Sequence, residues 1–185
     1  MRNIILDLAL SLDGYIEGPD GEIDWIIFDE KVASILNSFA DDIDTVIYGR
    51  KSYELWGQYK PDKPLSDDEV EFYKKIHSMQ KLVVSRTLTT DSKHPNVTII
   101  SDEIAARVHS LKLQSWKEIW LYGGAKLIKT FMEENLIDIY RLTINPVILG
   151  KGKPLFSSIH RRISLSLKNV SQLENGLVTL VYTRS

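Results

Sequence analysis

The sequence predicts a three-layer α/β fold in which helices cover both faces of a mostly parallel eight-stranded sheet and an antiparallel hairpin extends one edge. Three observations carry this expectation. Short apolar segments alternate with segments of helical period as far as Leu136. Beyond Leu136 only strand-like segments follow. The 185 residues, 43% hydrophobic and 26% charged, suffice for one core, and no repeat, low-complexity stretch or linker divides them, so residues 1–185 are expected to form one domain.

The first strand is Asn3 to Leu10, an apolar run interrupted by Asp7. A long loop, Ser11 to Phe28, has turns at Asp13-Gly14 and Pro19-Asp20-Gly21. Its Tyr15, Ile16 and Trp25 are more apolar surface than a solvated connection needs, so the loop is expected to cover a ligand. Lys31 to Phe39 is the first helix, with Asp29 and Glu30 before it to complement its dipole. Thr45 to Tyr48 is the second strand, followed by helices at Lys51 to Trp56 and Asp67 to Met79. Lys81 to Val84 and Val97 to Ile100 are strands, Glu103 to Leu113 a helix, Glu118 to Tyr122 a strand and Ala125 to Glu134 a helix. The last strands are Ile139 to Leu149, Ile163 to Leu173 and Leu177 to Thr183, the final two joined by the turn dipeptide Asn175-Gly176. Ligands of such sheets bind at the carboxyl ends of the strands, so the loops that matter follow Leu10, Tyr48, Val84 and Tyr122.

Composition removes several functions. With 23 Lys and Arg against 25 Asp and Glu, the net charge of -2 offers no field for nucleic acid. The absence of cysteine removes disulfides, thiolate catalysis and Cys-based metal sites. His77, His94, His109 and His160 lack metal-ligand spacing, so no metal site is expected, and no G-x-S-x-G elbow points to a serine hydrolase. No apolar run approaches the ~20 residues that cross a bilayer, and the amino terminus lacks a cleavage site. A soluble cytoplasmic protein without a membrane partner is the expectation.

Three strand-to-helix junctions carry the chemical signal. Ile119 to Lys126 runs through Tyr122, Gly123 and Gly124 into a helix opening with Ala125 and Lys126. Two glycines let a phosphate approach closely while the helix aims free N–H groups at it; a plain tight turn accounts for the same residues. Gly49, Arg50, Lys51 and Ser52 place two cations on a first helical turn, where the dipole disfavours them unless an anion neutralises them. Ser85-Arg86-Thr87 again offers hydroxyls and a cation at a strand end. Their convergence points to a large polyanion such as a phosphorylated dinucleotide. Asp7 costs several kcal/mol inside a strand unless it is paired or faces a polar cavity, so a functional carboxylate and a structural ion pair both account for it.

In this order the motifs Ser11 to Ile16, Gly49 to Glu54, Val84 to Leu88, Tyr122-Gly123-Gly124, Leu136-Ile137-Asp138 and Leu142 to Gly150 resemble the dihydrofolate reductase superfamily. The similarity is greatest to the reductase domain of bifunctional riboflavin-biosynthesis enzymes and its small stand-alone relatives, and it spans nearly the whole chain. It implies a dihydrofolate reductase-like fold that binds NADPH. Gly49, Arg50, Lys51 and Ser52 match the family's cofactor-phosphate turn, Ser85 and Arg86 its 2'-phosphate site, and Gly123 and Gly124, flanked by Tyr122, Ala125 and Lys126, its pyrophosphate loop. Ala9 and Ile16 fall where the family cradles the nicotinamide, and Trp25 and Thr143 where it meets substrate. The acid that holds the pterin in folate reductases falls near Glu30, whereas Asp7 stands where riboflavin-pathway reductases usually carry lysine.

The expectation is therefore an NADPH-dependent reductase acting on a pterin- or pyrimidine-like heterocycle or a small carbonyl compound. Glu30 or Asp7 would orient an amidine-like edge, with the proton delivered by either carboxyl or by water, and activity would fall as pH rises through a carboxyl pKa raised by burial. The alternatives are dihydrofolate reductase, the pyrimidine reductase of riboflavin synthesis, and a non-catalytic dinucleotide or pterin sensor. A homodimer is expected by family likeness, with Ile144 to Leu149 and the hairpin as its apolar edge.

Overall fold

Apolar residues at a period of two on both faces of a strand require cover on both sides, and that requirement organises this molecule. The structure, a computed structural model, describes residues 1–185 apart from Lys60, Lys63, Ser92 and Ser158. The strands are β1 (Ile4–Ser11), β2 (Tyr15–Glu17), β3 (Ile43–Gly49), β4 (Gln80–Val84), β5 (Val97–Ile100), β6 (Glu118–Gly123), β7 (Ile139–Asn145), β8 (Lys153–Pro154), β9 (Leu165–Gln172) and β10 (Val178–Arg184). The helices are α1 (Glu30–Asp41), α2 (Arg50–Trp56), α3 (Asp67–Ser78), α4 (Ile104–Lys112) and α5 (Ala125–Glu133). Eight strands form one sheet in the order β5-β4-β3-β6-β1-β7-β10-β9. All neighbours from β5 to β7 are parallel, and β10 runs antiparallel to both β7 and β9.

The period of two sorts the core into two clusters. Ile4, Leu6 and Leu10 of β1 pack with Leu121 of β6 against Val108 of α4 and Ile128, Phe131 and Met132 of α5. From the other face Ile5, Val46, Tyr48 and Trp120 meet Ala40 of α1 and Phe72 and Ile76 of α3. Each fully buried large apolar side chain contributes roughly 1.5–3 kcal/mol, so the two faces rather than the helices' own propensities hold the layers together.

Helix ends follow from local chemistry. Asp29 caps α1 by accepting from the Val32 amide at 2.9 Å. Ser66 and Glu69 form a reciprocal capping box on α3. The carboxyl end of α3 is closed by Lys81, whose Nζ donates to the Ile76, His77 and Met79 carbonyls at 3.1, 2.9 and 3.4 Å. Asn96 adds donations to the His77 and Met79 carbonyls.

Three expectations need correction. The strand expected to run to Leu149 stops at Asn145, because Pro146 has no N–H to continue a ladder. That strand, β7, lies inside the sheet between β1 and β10, so Ile144 is not at an edge; the free edge beyond the hairpin belongs to β9. The loop Ser11 to Phe28 contains a short strand that sequence patterning missed, since β2 and its partner β8 have three and two residues and show no apolar run. Among the described residues no helix is long and apolar enough to cross a membrane.

Candidate functional site

Parallel pairing places the three strand-to-helix junctions side by side. β4, β3 and β6 are consecutive in the sheet, with Gly49 opposite Val84 and Tyr48 opposite Gly123. At the β6 end the Gly123-Gly124 peptide is cis and Gly123 has φ +114°. A Cβ on Gly123 would lie 2.8 Å from Ile128 Cδ1, and one on Gly124 3.2 Å from Ser52 Oγ. The turns leading into α2 and α5 therefore meet through bare backbone and one hydroxyl, a surface that a side chain would fill.

The charges on this strip differ in their freedom. Arg50 Nη1 donates to both Glu54 carboxylate oxygens at 2.7 Å, so a carboxylate one turn along supplies the anion that its place at the helix start calls for. Lys51, Arg86 and Lys126 are exposed and make no ion pair among the described residues. Ser85 is buried, and its Oγ accepts from the amides of Thr87 and Leu88 at 3.1 and 2.8 Å, which shapes the turn that carries Arg86 outward. Bare glycine backbone and three free cations fit a polyphosphate in charge and in access.

Next to the strip a cavity of about 470 Å³ opens between the sheet and the layer of α1 and α3. Of the residues singled out from sequence, Asp7, Ala9, Ile16, Ser52, Tyr122, Gly124 and Thr143 line it. The loop Ser11 to Phe28 forms one wall through Ile16, Ile23, Ile26, Ile27 and Phe28, and it is pinned where Asn145 Oδ1 accepts from the Ile27 amide at 2.9 Å. Trp25 is half-buried outside the lining, its Nε1 donating to the Glu22 carbonyl at 3.2 Å. Glu30 is exposed at the first position of α1, and the helix presents Val32 and Leu36 to the cavity instead.

On the sheet side the polar centre is Asp7. It is 7% exposed, and Arg141, its register partner on β7, holds Oδ1 at 2.8 Å through Nη1. Arg141 also lies 4.9 Å over the Phe39 ring, and the Trp120 indole donates to the Asp7 carbonyl at 3.3 Å. Burial pushes the Asp7 carboxyl up from its ordinary value while Arg141 opposes the shift. Beside it Tyr122 stacks 4.9 Å from Tyr48 and 5.1 Å from Trp120. Burial, then neighbouring phenols, raise Tyr48 and Tyr122, so both are donors at neutral pH. The Tyr48 hydroxyl is buried without a hydrogen-bond partner among the described residues.

Sequence pattern alone does not single out Arg141, Tyr48 or Asn145 as site residues. The signal was available, since a buried Asp in one strand calls for a cation in an adjacent one and Arg141 interrupts β7 as Asp7 interrupts β1. Tyr48 shares a sheet face with Asp7 only through the order β3-β6-β1, which the sequence does not display.

Residues 2–179 match the model of the RibD C-terminal domain. The chain is 48% identical over 182 residues to the uncharacterized protein YyaP of Bacillus subtilis strain 168, covering 98% of this chain and 94% of that one. Its fold is similar to that of a Shewanella sp. PV-4 protein put forward as a riboflavin biosynthesis protein, with TM-score 0.81, 24% identity and coverage of 100% and 99%. It is also similar to a Thermotoga maritima diaminohydroxyphosphoribosylaminopyrimidine deaminase/5-amino-6-(5-phosphoribosylamino)uracil reductase, with TM-score 0.70 and 15% identity, covering all of this chain and 57% of the other.

Proposed function

The chain belongs to the RibD C-terminal domain family, and on that footing we propose that it is an NADPH-dependent reductase of a small heterocyclic or carbonyl substrate. The observation that carries the reading is the contact between the two glycine turns at the ends of β3 and β6, because Ser52 and Gly124 belong at once to the anion-friendly strip and to the cavity wall. A dinucleotide laid along the strip would have its diphosphate against Gly49, Ser52, Gly123, Gly124 and the first amides of α5, with Lys51 and Lys126 nearby. Arg86, presented by the turn that Ser85 shapes, would take the 2'-phosphate. Ala9 and Ile16 would flank the nicotinamide, and Thr143 the substrate beside it. NADPH held there supplies a hydride to a C=N or C=O carbon, and a proton from solvent completes the reduction at nitrogen or oxygen.

The chain's own contribution is orientation. Asp7, held by Arg141, accepts from N–H groups of the substrate, and the loop Ser11 to Phe28 excludes water from the cavity. Glu30 has no part in this scheme because α1 turns it to solvent. Incubation with NADPH and a set of pterins, aminopyrimidines and small carbonyl compounds, followed by loss of the reduced-nicotinamide absorbance, tests the proposal. Consumption above the protein-free rate that ceases in Asp7→Leu/Arg141→Leu, a variant whose folding is checked by its melt, is expected; no consumption with any member counts against a reductase.

A further inference from the structure

The charge and shape of the cavity restrict what it can accept. One wall, running from beside the glycine turns to α3, is aromatic: Tyr48, Tyr122, Trp120, Phe72 and Tyr73. Successive rings stand 4.9 to 6.5 Å apart: Tyr48 to Tyr122, Tyr122 to Trp120, Trp120 to Phe72 and Phe72 to Tyr73. Faces and edges presented at such angles suit a flat ring, which gains both area burial and aromatic contact. Among the described lining residues the charged groups are the carboxylates Asp7, Glu17 and Glu69, and none is lysine or arginine. Two cations are engaged behind the wall: Arg141 with Asp7 at 2.8 Å and Lys153 with Glu17 at 2.6 Å. Glu69 accepts from the Ser66 amide in the capping box of α3. A phosphoryl group entering this chamber would lose its hydration, meet no free cation among these residues and face the Asp7 carboxylate on the floor.

We propose that the substrate chamber takes a planar aromatic heterocycle that carries no phosphoryl group, and that Asp7 enforces the exclusion. The proposal rests on the reductase reading only in calling the ligand a substrate; the selectivity itself belongs to the cavity. It sets this chain apart from the Thermotoga maritima relative, whose named substrate bears a phosphoribosyl group. Tyr48 fits the same ligand, since its buried hydroxyl has no hydrogen-bond partner among the described residues and a ring carbonyl or ring nitrogen would provide an acceptor.

The matched pair that tests the proposal is 6-hydroxymethylpterin and its phosphate monoester, titrated calorimetrically into the protein alone and into protein with excess NADP+. In wild-type protein the alcohol should bind about tenfold or more tighter than the ester, because a phosphate dianion entering a partly desolvated chamber with no cation among its described lining residues loses hydration that nothing there replaces. In Asp7→Asn, which leaves Arg141 as a free cation, that ratio should fall to about one or invert. Tyr48→Phe should weaken the alcohol by about tenfold while the thermal midpoint stays or rises, as removing an unpartnered buried hydroxyl does not harm the fold. Equal or tighter binding of the ester by wild-type protein overturns the proposal, and so does failure of both compounds to bind. NADP+ that does not bind while the alcohol still outbinds the ester would sink the reductase reading and leave the exclusion standing. An Asp7→Asn protein that fails to fold leaves the wild-type pair and Tyr48→Phe to decide.

Discussion

At Asp7 the cost of a charge inside a strand is met by a second charge inside the neighbouring strand. At 2.8 Å the Arg141 guanidinium favours the ionised carboxylate even as burial pushes the carboxyl upward. If Asp7 works as a hydrogen-bond acceptor, kcat/KM falls as pH drops through its titration, and the acid limb lies above the ordinary value of 3.8. This is the reverse of the profile that a proton-donating carboxyl would give. A pH-rate profile that falls instead on the alkaline side with that midpoint would restore the donor role. The two strand-end arginines also part company. Arg86→Ala should cost NADPH roughly 1.5–3 kcal/mol of affinity and NADH little, as a charged hydrogen bond to the 2'-phosphate would be lost. Arg50, tied to Glu54, should matter less, and an Arg50→Ala loss as large as that of Arg86→Ala would show that the pair opens on binding.

Among the elements, α3 depends most plainly on its neighbours. Its carboxyl end is closed by a lysine from β4 that is 1% exposed, and burial pushes that ammonium down to about 8 from 10.5. Between those values the unfolded chain binds more protons at Lys81 than the folded one, so this residue makes stability rise with pH across the window from about 8 to 10.5. Urea midpoints should show that rise in wild-type protein and lose it in Lys81→Met. An identical pH slope in both would mean that the three carbonyls hold the charge after all. The long elements were legible because period and caps agree: Asp29, Ser66 and the turn at Asn175-Gly176 stand where helices begin and the hairpin bends. β2 and β8 were not legible, because a three-residue strand paired to a two-residue one owes its existence to the loop lying across Gly152 and not to any pattern of its own.

For the whole molecule, what the sequence could not display is strand order. The glycine and arginine junctions were visible one by one, but only the order β4-β3-β6-β1 makes them neighbours and sets Asp7 beside Tyr122 and Tyr48. Glu30 is the instructive case in the other direction, since a count along the chain brings an acid to the start of α1 while the helix rotation gives the cavity to Val32 and Leu36. The cavity and the strip meet at Ser52 and Gly124, and the central claim is that a phosphorylated dinucleotide lies across that meeting point. Calorimetric titration of the protein with NADPH and, separately, with NADH tests it most directly. Micromolar binding of NADPH, with NADH about tenfold or more weaker, is the predicted result; no binding of either nucleotide, or equal binding of both, would contradict it.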